Sequence, residues 1–233
     1  MFFGLRRGIA LSYENKTPML RQLQEGVAEA RRPVIALAYS ASFVARGNLA
    51  VVGTFFTLWA SLYGTSELGM TSADSISRGG GILAISYMAS LLSAPLFGIM
   101  VDRIDRVTAL AVSLFIGAIG YGGTYFLHDP FSLPTIICLI FIGMAEVGCI
   151  ITSGVLIAEQ APDRLRGSVV GVFTLTGAVG ILVASVVGGY LFDHWLKTGP
   201  FVFFGIISAL VMLWALALRS RPSQVAAIPV TDH

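Results

Sequence analysis

The sequence predicts an all-α integral membrane protein with six transmembrane helices, from its composition and from the lengths of its apolar runs. Of its 233 residues, 55% are hydrophobic and only 12% are charged. A soluble domain carries about twice that charged fraction, because its surface must be polar. Apolar runs of about 17 to 25 residues, the length that crosses a bilayer as a helix, predict six helices at 34–62, 79–101, 107–126, 133–158, 168–192 and 200–218.

The basic residues fall mainly on one side of these helices. Of the fifteen Lys and Arg residues, twelve precede the first helix, follow the sixth, or lie in the junctions between helices 2 and 3 and between helices 4 and 5. Only Arg78 and Lys197 lie on the opposite side, and Arg46 lies inside the first helix. Because cytoplasmic loops carry an excess of positive charge, both termini are expected in the cytoplasm and the chain in the plasma (inner) membrane.

Three regions are predicted along the chain: a basic segment at 1–33, a six-helix membrane domain at 34–218 and a polar tail at 219–233. In the first region, Thr17 and Pro18 predict a helix start, with a capping hydroxyl followed by proline at the first helical position. The apolar residues that follow recur at helical spacing, which predicts a short amphipathic helix along the cytoplasmic membrane surface. The alternative is a partly disordered basic arm that only sets topology.

Two junctions between helices carry recognisable motifs. Residues 98–107, between helices 2 and 3, read GIMVDRIDRV, and residues 159–173, before helix 5, read EQAPDRLRGSVVGVF. The first resembles the loop Gly-x-x-x-Asp-Arg-x-Gly-Arg-Arg/Lys of the major facilitator superfamily, with Asp105 at the second glycine and Val107 at the final basic position. The second is similar to that family's junction before its fifth or eleventh helix, where an Arg-Gly pair opens the helix.

This resemblance implies a half of a twelve-helix carrier. Carriers of this family have two six-helix halves, and this chain resembles the second, C-terminal half, with its basic beginning similar to the central cytoplasmic linker. Each half is expected to be an inverted three-plus-three repeat. A trace of that repeat is the pattern Gly98-x-x-x-Asp102 at the end of helix 2, which recurs as Gly189-x-x-x-Asp193 at the opposite membrane face.

Two charges lie deep inside the predicted helices, and they are Arg46 and Glu146. Arg46 is twelve residues past Val34, and Glu146 is twelve residues before Ala158, so both lie roughly 18 Å from the cytoplasmic end. A charge at the bilayer centre costs roughly 2.5 to 3.5 kcal/mol or more. Because the depths agree, Arg46 and Glu146 are predicted to face one polar cavity and to pair, on helices that line the translocation path in the resembled family.

Two interpretations of this pair stay open. Arg46 could hold an anionic group or a coupling charge while Glu146 accepts a proton, or the two charges could only neutralise each other and fix helix 1 against helix 4. Asn48 and Tyr87 are further candidates for the cavity, with packing roles as the alternative.

A second group of charged residues lies at the cytoplasmic helix ends. The resemblance implies a conformational latch there, a charge network that holds one of two alternating conformations. The alternative is that these charges only set topology and solvate helix ends. The predicted latch residues are Gly98, Asp102, Arg103, Arg106, Glu159 and Arg166.

The predicted function is secondary active transport. No phosphate-binding loop, metal-ligand spacing or local catalytic constellation occurs in the sequence, so neither an enzyme, a metal, a cofactor nor a nucleic-acid partner is expected. The chain is expected to move a small solute by alternating access, coupled to a proton or another ion. Its expected partners are membrane lipid and either the missing six-helix half or a second copy of itself. The alternative function is a non-transporting carrier half that assembles with or regulates a partner.

Overall fold

The structure, a computed structural model, describes residues 18–220, and no strand occurs within that part of the chain. A short helix precedes the membrane domain, and the first membrane span is divided by a π-helical segment at Val52–Phe56. The α-helices are α1 (Met19–Ala28), α2 (Pro33–Val51), α3 (Thr57–Ser66), α4 (Ser72–Arg103), α5 (Arg106–Gly123), α6 (Leu133–Gln160), α7 (Arg166–His194) and α8 (Gly199–Arg219).

Within residues 18–220, six continuous helical segments are long and apolar enough to cross a membrane, which confirms the predicted fold class. Most of the predicted bounds agree with the structure within a few residues. The main difference is α4, which begins at Ser72 although its apolar run begins at Gly79. The cause is a local cap: the Thr71 hydroxyl accepts a hydrogen bond from the Asp74 backbone N–H at 3.1 Å. The first two turns of α4 are therefore polar, and they extend the helix beyond the start of its apolar run.

The π-helical segment in the first span was not predicted. A π segment widens the helix by one residue and leaves a carbonyl without its usual partner, and such segments occur frequently at functional sites. Here the hydroxyl of Thr57 donates to the carbonyl of Gly53 at 3.3 Å. The widened turn keeps Val52 and Phe56 fully buried while Gly53 and Thr54 are exposed.

The helices pack as two related sets of three. The first span packs against α7 through α2, and the equivalent pair in the second set is α6 against α4. Both contacts use a serine hydroxyl that donates to a carbonyl of the neighbouring helix: Ser42 to Phe173 at 2.7 Å, and Ser86 to Leu139 at 2.7 Å. The pairing of spans 1 with 5 and 4 with 2 is the arrangement expected of an inverted repeat.

A helix, α1, precedes the membrane domain, and its start differs by one residue from the predicted start. It begins at Met19, so Pro18 is the capping residue instead of the first helical residue, and Thr17 lies outside the described residues. The helix is tied to the membrane domain at Gly26, whose carbonyl accepts a hydrogen bond from the Tyr39 hydroxyl at 2.9 Å. A Cβ at Gly26 would lie 2.7 Å from the Val172 side chain on α7, so only glycine fits there.

Close packing of α6 on α4 gives a test of the fold. A Cβ at Gly143 would meet the backbone carbonyl of Ser86, whereas a Cβ at Gly154 on the same helix would have no neighbour within 4 Å. We expect Gly143→Ala to lower the free energy of unfolding by about 1 to 3 kcal/mol and Gly154→Ala to leave it nearly unchanged. Thermal unfolding of the purified protein in detergent measures both, and equal midpoints for the two variants would contradict this packing.

Candidate functional site

Glu146 lies at the centre of a buried polar contact between α5 and α6. Its side chain is 3% exposed, and one carboxylate oxygen accepts a hydrogen bond from the Tyr121 hydroxyl at 3.0 Å. Tyr121 is fully buried on α5, and its ring stacks on Phe201 with centroids 6.3 Å apart. Packing therefore fixes the orientation of the hydroxyl that holds the carboxylate.

Tyr87 is a more exposed residue in the electrostatic range of the same carboxylate. It is 46% exposed on α4, and it is close enough to Glu146 for an electrostatic interaction. A neighbouring hydrogen bond sets the position of α4 there, because the Ser90 hydroxyl donates to the Gly143 carbonyl at 2.6 Å, one turn before Glu146. The structure thus brings two predicted site residues, Tyr87 and Glu146, together.

Arg46 does not join this group. Its side chain is exposed on α2 and lies along α7, where a Cβ at Gly177 would be only 2.7 Å from the Arg46 Cγ. Glycine at position 177 therefore makes the room that the arginine occupies. Within residues 18–220, Arg46 has neither an ion pair nor a hydrogen bond from its side chain, so the predicted pair of Arg46 with Glu146 is not formed.

The physical reason is that depth does not determine direction around a helix axis. Counting residues along two helices gives the height of each side chain, but each residue also turns by about 100°. The side chain of Glu146 points into the six-helix unit toward α5, and that of Arg46 points along its outer face toward α7. Sequence reasoning missed Tyr121, the residue that pairs with Glu146. Tyr121 lies about 22 Å from the start of α5, so a count of depth would have placed it near the level of Glu146.

Asn48 occupies a third environment. It is 1% exposed on α2, and neither its amide nitrogen nor its amide oxygen has a hydrogen-bond partner within residues 18–220. A buried polar group without a partner costs about 1 to 3 kcal/mol. This cost singles out Asn48 as a functional candidate, in the buried interior instead of on the exposed face with Arg46.

The predicted latch residues are only partly brought together. Arg106 and Glu159 form an ion pair between the start of α5 and the end of α6, with the Nε and Nη2 atoms 2.9 and 2.8 Å from one carboxylate oxygen. Arg166 pairs instead with Asp163 in the preceding turn, at 3.3 Å. The latch role of this cluster stays a prediction.

Of the other motif positions, Asp102 and Arg103 are exposed and Gly98 is partly buried. Asp102 and Arg103 end α4 and have no ion pair in the described part of the chain, and a Cβ at Gly98 would find open space. The structure explains why this sequence has Asp105 where the family motif has glycine. Its carboxylate accepts a hydrogen bond from the Thr108 N–H at 3.0 Å and caps α5. Aspartate at this position therefore starts the third span.

Six packed spans, an inverted repeat and ionisable groups at mid-depth define a multi-pass membrane protein of the solute-carrier type. A family model described as Major Facilitator Superfamily matches residues 30–232. The chain belongs to this family of membrane transporters.

Several characterised proteins are similar to this chain. Magnetosome protein MamH of Paramagnetospirillum magneticum is 29% identical over 82% of this chain and 44% of MamH. A D-galactonate transporter of Escherichia coli is 28% identical over 84% of this chain and 46% of the transporter. The structure of the proton:xylose symporter XylE bound to 6-bromo-6-deoxy-D-glucose matches with a TM-score of 0.64 and 18% identity, over 82% of this chain and 44% of XylE. The chain therefore spans less than half the length of these proteins.

The buried contact of Tyr121 with Glu146 predicts a measurable loss of stability. Tyr121→Phe removes the donor and leaves a buried carboxyl group without it, which we expect to cost about 1 to 3 kcal/mol. Tyr125→Phe is the matched control, because Tyr125 follows one turn later and is 49% exposed. Thermal unfolding in detergent gives both values. If the two variants unfold at the same temperature, the hydrogen bond does not contribute as described.

Proposed function

We propose that this chain is one half of a secondary active transporter that moves a small solute by alternating access. The proposal places both termini in the cytoplasm and the spans in the plasma membrane, with the second six-helix unit facing the exposed side of the first span. That second unit comes from a longer parent chain, a separately encoded partner or a second copy. The relatives, of which this chain spans less than half, support this arrangement.

The observation that carries the proposal is the exposed face of the first span. Arg46, Leu49, Gly53, Thr54 and Leu58 are all exposed, at helical spacing, on a helix whose other positions are largely buried. Lipid does not cover an arginine at this depth without a cost of several kcal/mol. We therefore assign this face to a water-filled cavity between two halves.

Arg46, which faces this cavity, and Glu146, which lies in the buried contact with Tyr121, have separate roles. A guanidinium group binds carboxylates and phosphates through paired hydrogen bonds, so Arg46 favours a solute with an anionic group. Glu146 is a carboxyl group that can gain or lose one proton between Tyr121 and Tyr87, and we assign proton coupling to it. The printed names of two relatives, a D-galactonate transporter and a D-xylose transporter, make small sugar acids and sugars the first solutes to test.

Thiol labelling tests the cavity without knowledge of the solute. In a background where Cys138 and Cys149 are replaced by serine and alanine, Thr54→Cys places a thiol on the exposed face of the first span. We expect a water-soluble, membrane-impermeant maleimide to label it in native membranes, because thiolates form only where water reaches.

The matched control is Phe115→Cys, since Phe115 is 52% exposed on α5 and is expected to face lipid. It should stay unlabelled under the same conditions. If Thr54→Cys is as unreactive as Phe115→Cys, the face is covered by lipid or protein and the cavity is refuted. Native mass and crosslinking in membranes then identify the source of the second half.

Infrared spectroscopy tests proton binding by Glu146. A pH-difference spectrum of the purified protein should contain the carbonyl stretching band of a carboxyl group that becomes protonated in a buried site. We expect Glu146→Gln to remove that band and Tyr121→Phe to shift it, because a hydrogen bond changes the carbonyl stretching frequency.

Glu159→Gln on the same helix is the control for this measurement. Glu159 is 42% exposed and paired with Arg106, so its replacement should leave the buried band in place. A band that survives in Glu146→Gln would show that another group takes up the proton and would remove Glu146 from the coupling role.

A further inference from the structure

A groove lies between the start of the first span and the end of the last one. It encloses about 300 Å³ between the residues before α2 and the final turns of α8, and its lining includes Ala36, Trp214 and Leu218. Its lining contains a single charged residue, Arg31. Because α2 starts and α8 ends at the same membrane face, the groove opens where lipid headgroups meet acyl chains.

Arg31 also borders a second, open apolar groove along α1. That groove has a volume of about 630 Å³ and includes Leu23 and Val27 of α1 in its lining. Val27 is 53% exposed. Arg31 therefore stands between two apolar surfaces, each open to a hydrocarbon chain.

The two adjacent arginines at this end of the chain differ in their contacts. Arg32 is engaged by the protein itself: it pairs with Glu29 at 4.0 Å and donates to the carbonyl of Gln160 at 3.3 Å. Arg31 is exposed and has no ion pair or hydrogen bond from its side chain within the described part of the chain. Its guanidinium group is thus available to a ligand from outside the protein.

We propose that these two grooves and Arg31 form a binding site for one anionic phospholipid. The phosphate pairs with the guanidinium of Arg31, since arginine offers two parallel N–H donors to phosphate oxygens. One acyl chain lies along Trp214 and the other along Leu23 and Val27 of α1. Basic pockets between membrane helices bind anionic headgroups in this way. The site is independent of the transport function proposed above and lies away from Arg46 and Glu146.

Trp214 reports directly on acyl chains in the first groove. The chain has three tryptophans, and Trp214 is the one that remains in the double variant Trp59→Phe with Trp195→Phe. Its fluorescence is measured in two series of vesicles, with increasing mole fractions of brominated phosphatidylglycerol or of brominated phosphatidylcholine. Because one arginine near the surface favours an anionic lipid about fivefold, we expect quenching by the anionic lipid at a several-fold lower mole fraction.

Two variants decide the source of this preference. Arg31→Gln should make the two lipids quench equally, whereas Arg164→Gln should keep the preference, because Arg164 is exposed at the same membrane face but lines neither groove. The proposed site is overturned if the preference for the anionic lipid survives in Arg31→Gln. It is also overturned if Arg164→Gln loses that preference to the same extent as Arg31→Gln. Native mass spectrometry of the chain with all its tryptophans, in detergent with both lipids, checks the result: one phosphatidylglycerol should stay bound, and fewer in Arg31→Gln.

Discussion

The hydrocarbon core of the bilayer offers no hydrogen-bond partner, so each polar group in a span depends on the protein for one. The backbone meets this constraint by forming helices. The side chains meet it across helix contacts, where Ser42, Ser86 and Ser90 donate to carbonyls of the neighbouring helix. Such bonds require a close approach of the two backbones, and Gly143 on α6 allows it against the carbonyl of Ser86.

This constraint makes α6 the helix on which the site depends. A hydroxyl from α4 holds the Gly143 carbonyl, and one turn later a hydroxyl from α5 holds the Glu146 carboxylate. A change of charge on Glu146 alters the strength of its bond with Tyr121, and the tight contact with α4 leaves little room for α6 to relax alone. Proton binding at Glu146 would therefore act on the contacts among three helices, as the proposed coupling role requires.

The six spans could be predicted from the sequence because apolar length and junction chemistry are local properties. The start of α4 was placed too late because its cap, Thr71 with Asp74, precedes the apolar run by two turns. The depth of Arg46 and Glu146 in the membrane could likewise be predicted by counting residues along their helices. The directions in which their side chains point could not. Those depend on which neighbour lies beside each helix, and Gly177 beside Arg46 and Tyr121 beside Glu146 are distant in sequence.

The separation of these two charges changes how coupling can work in this unit. An ion pair between Arg46 and Glu146 that broke on solute binding would link solute and proton directly. The two side chains point to different neighbours, however, Arg46 toward α7 and Glu146 toward α5. α2 nevertheless packs against α6. Asn48, whose amide has no hydrogen-bond partner in the part of the chain that the structure describes, lies buried on α2 two residues after Arg46. A solute that moved Arg46 would also move Asn48 and the π-helical segment that follows it. In the proposed transporter, the helix contact, and not a shared salt bridge, would then be the physical connection between solute and proton.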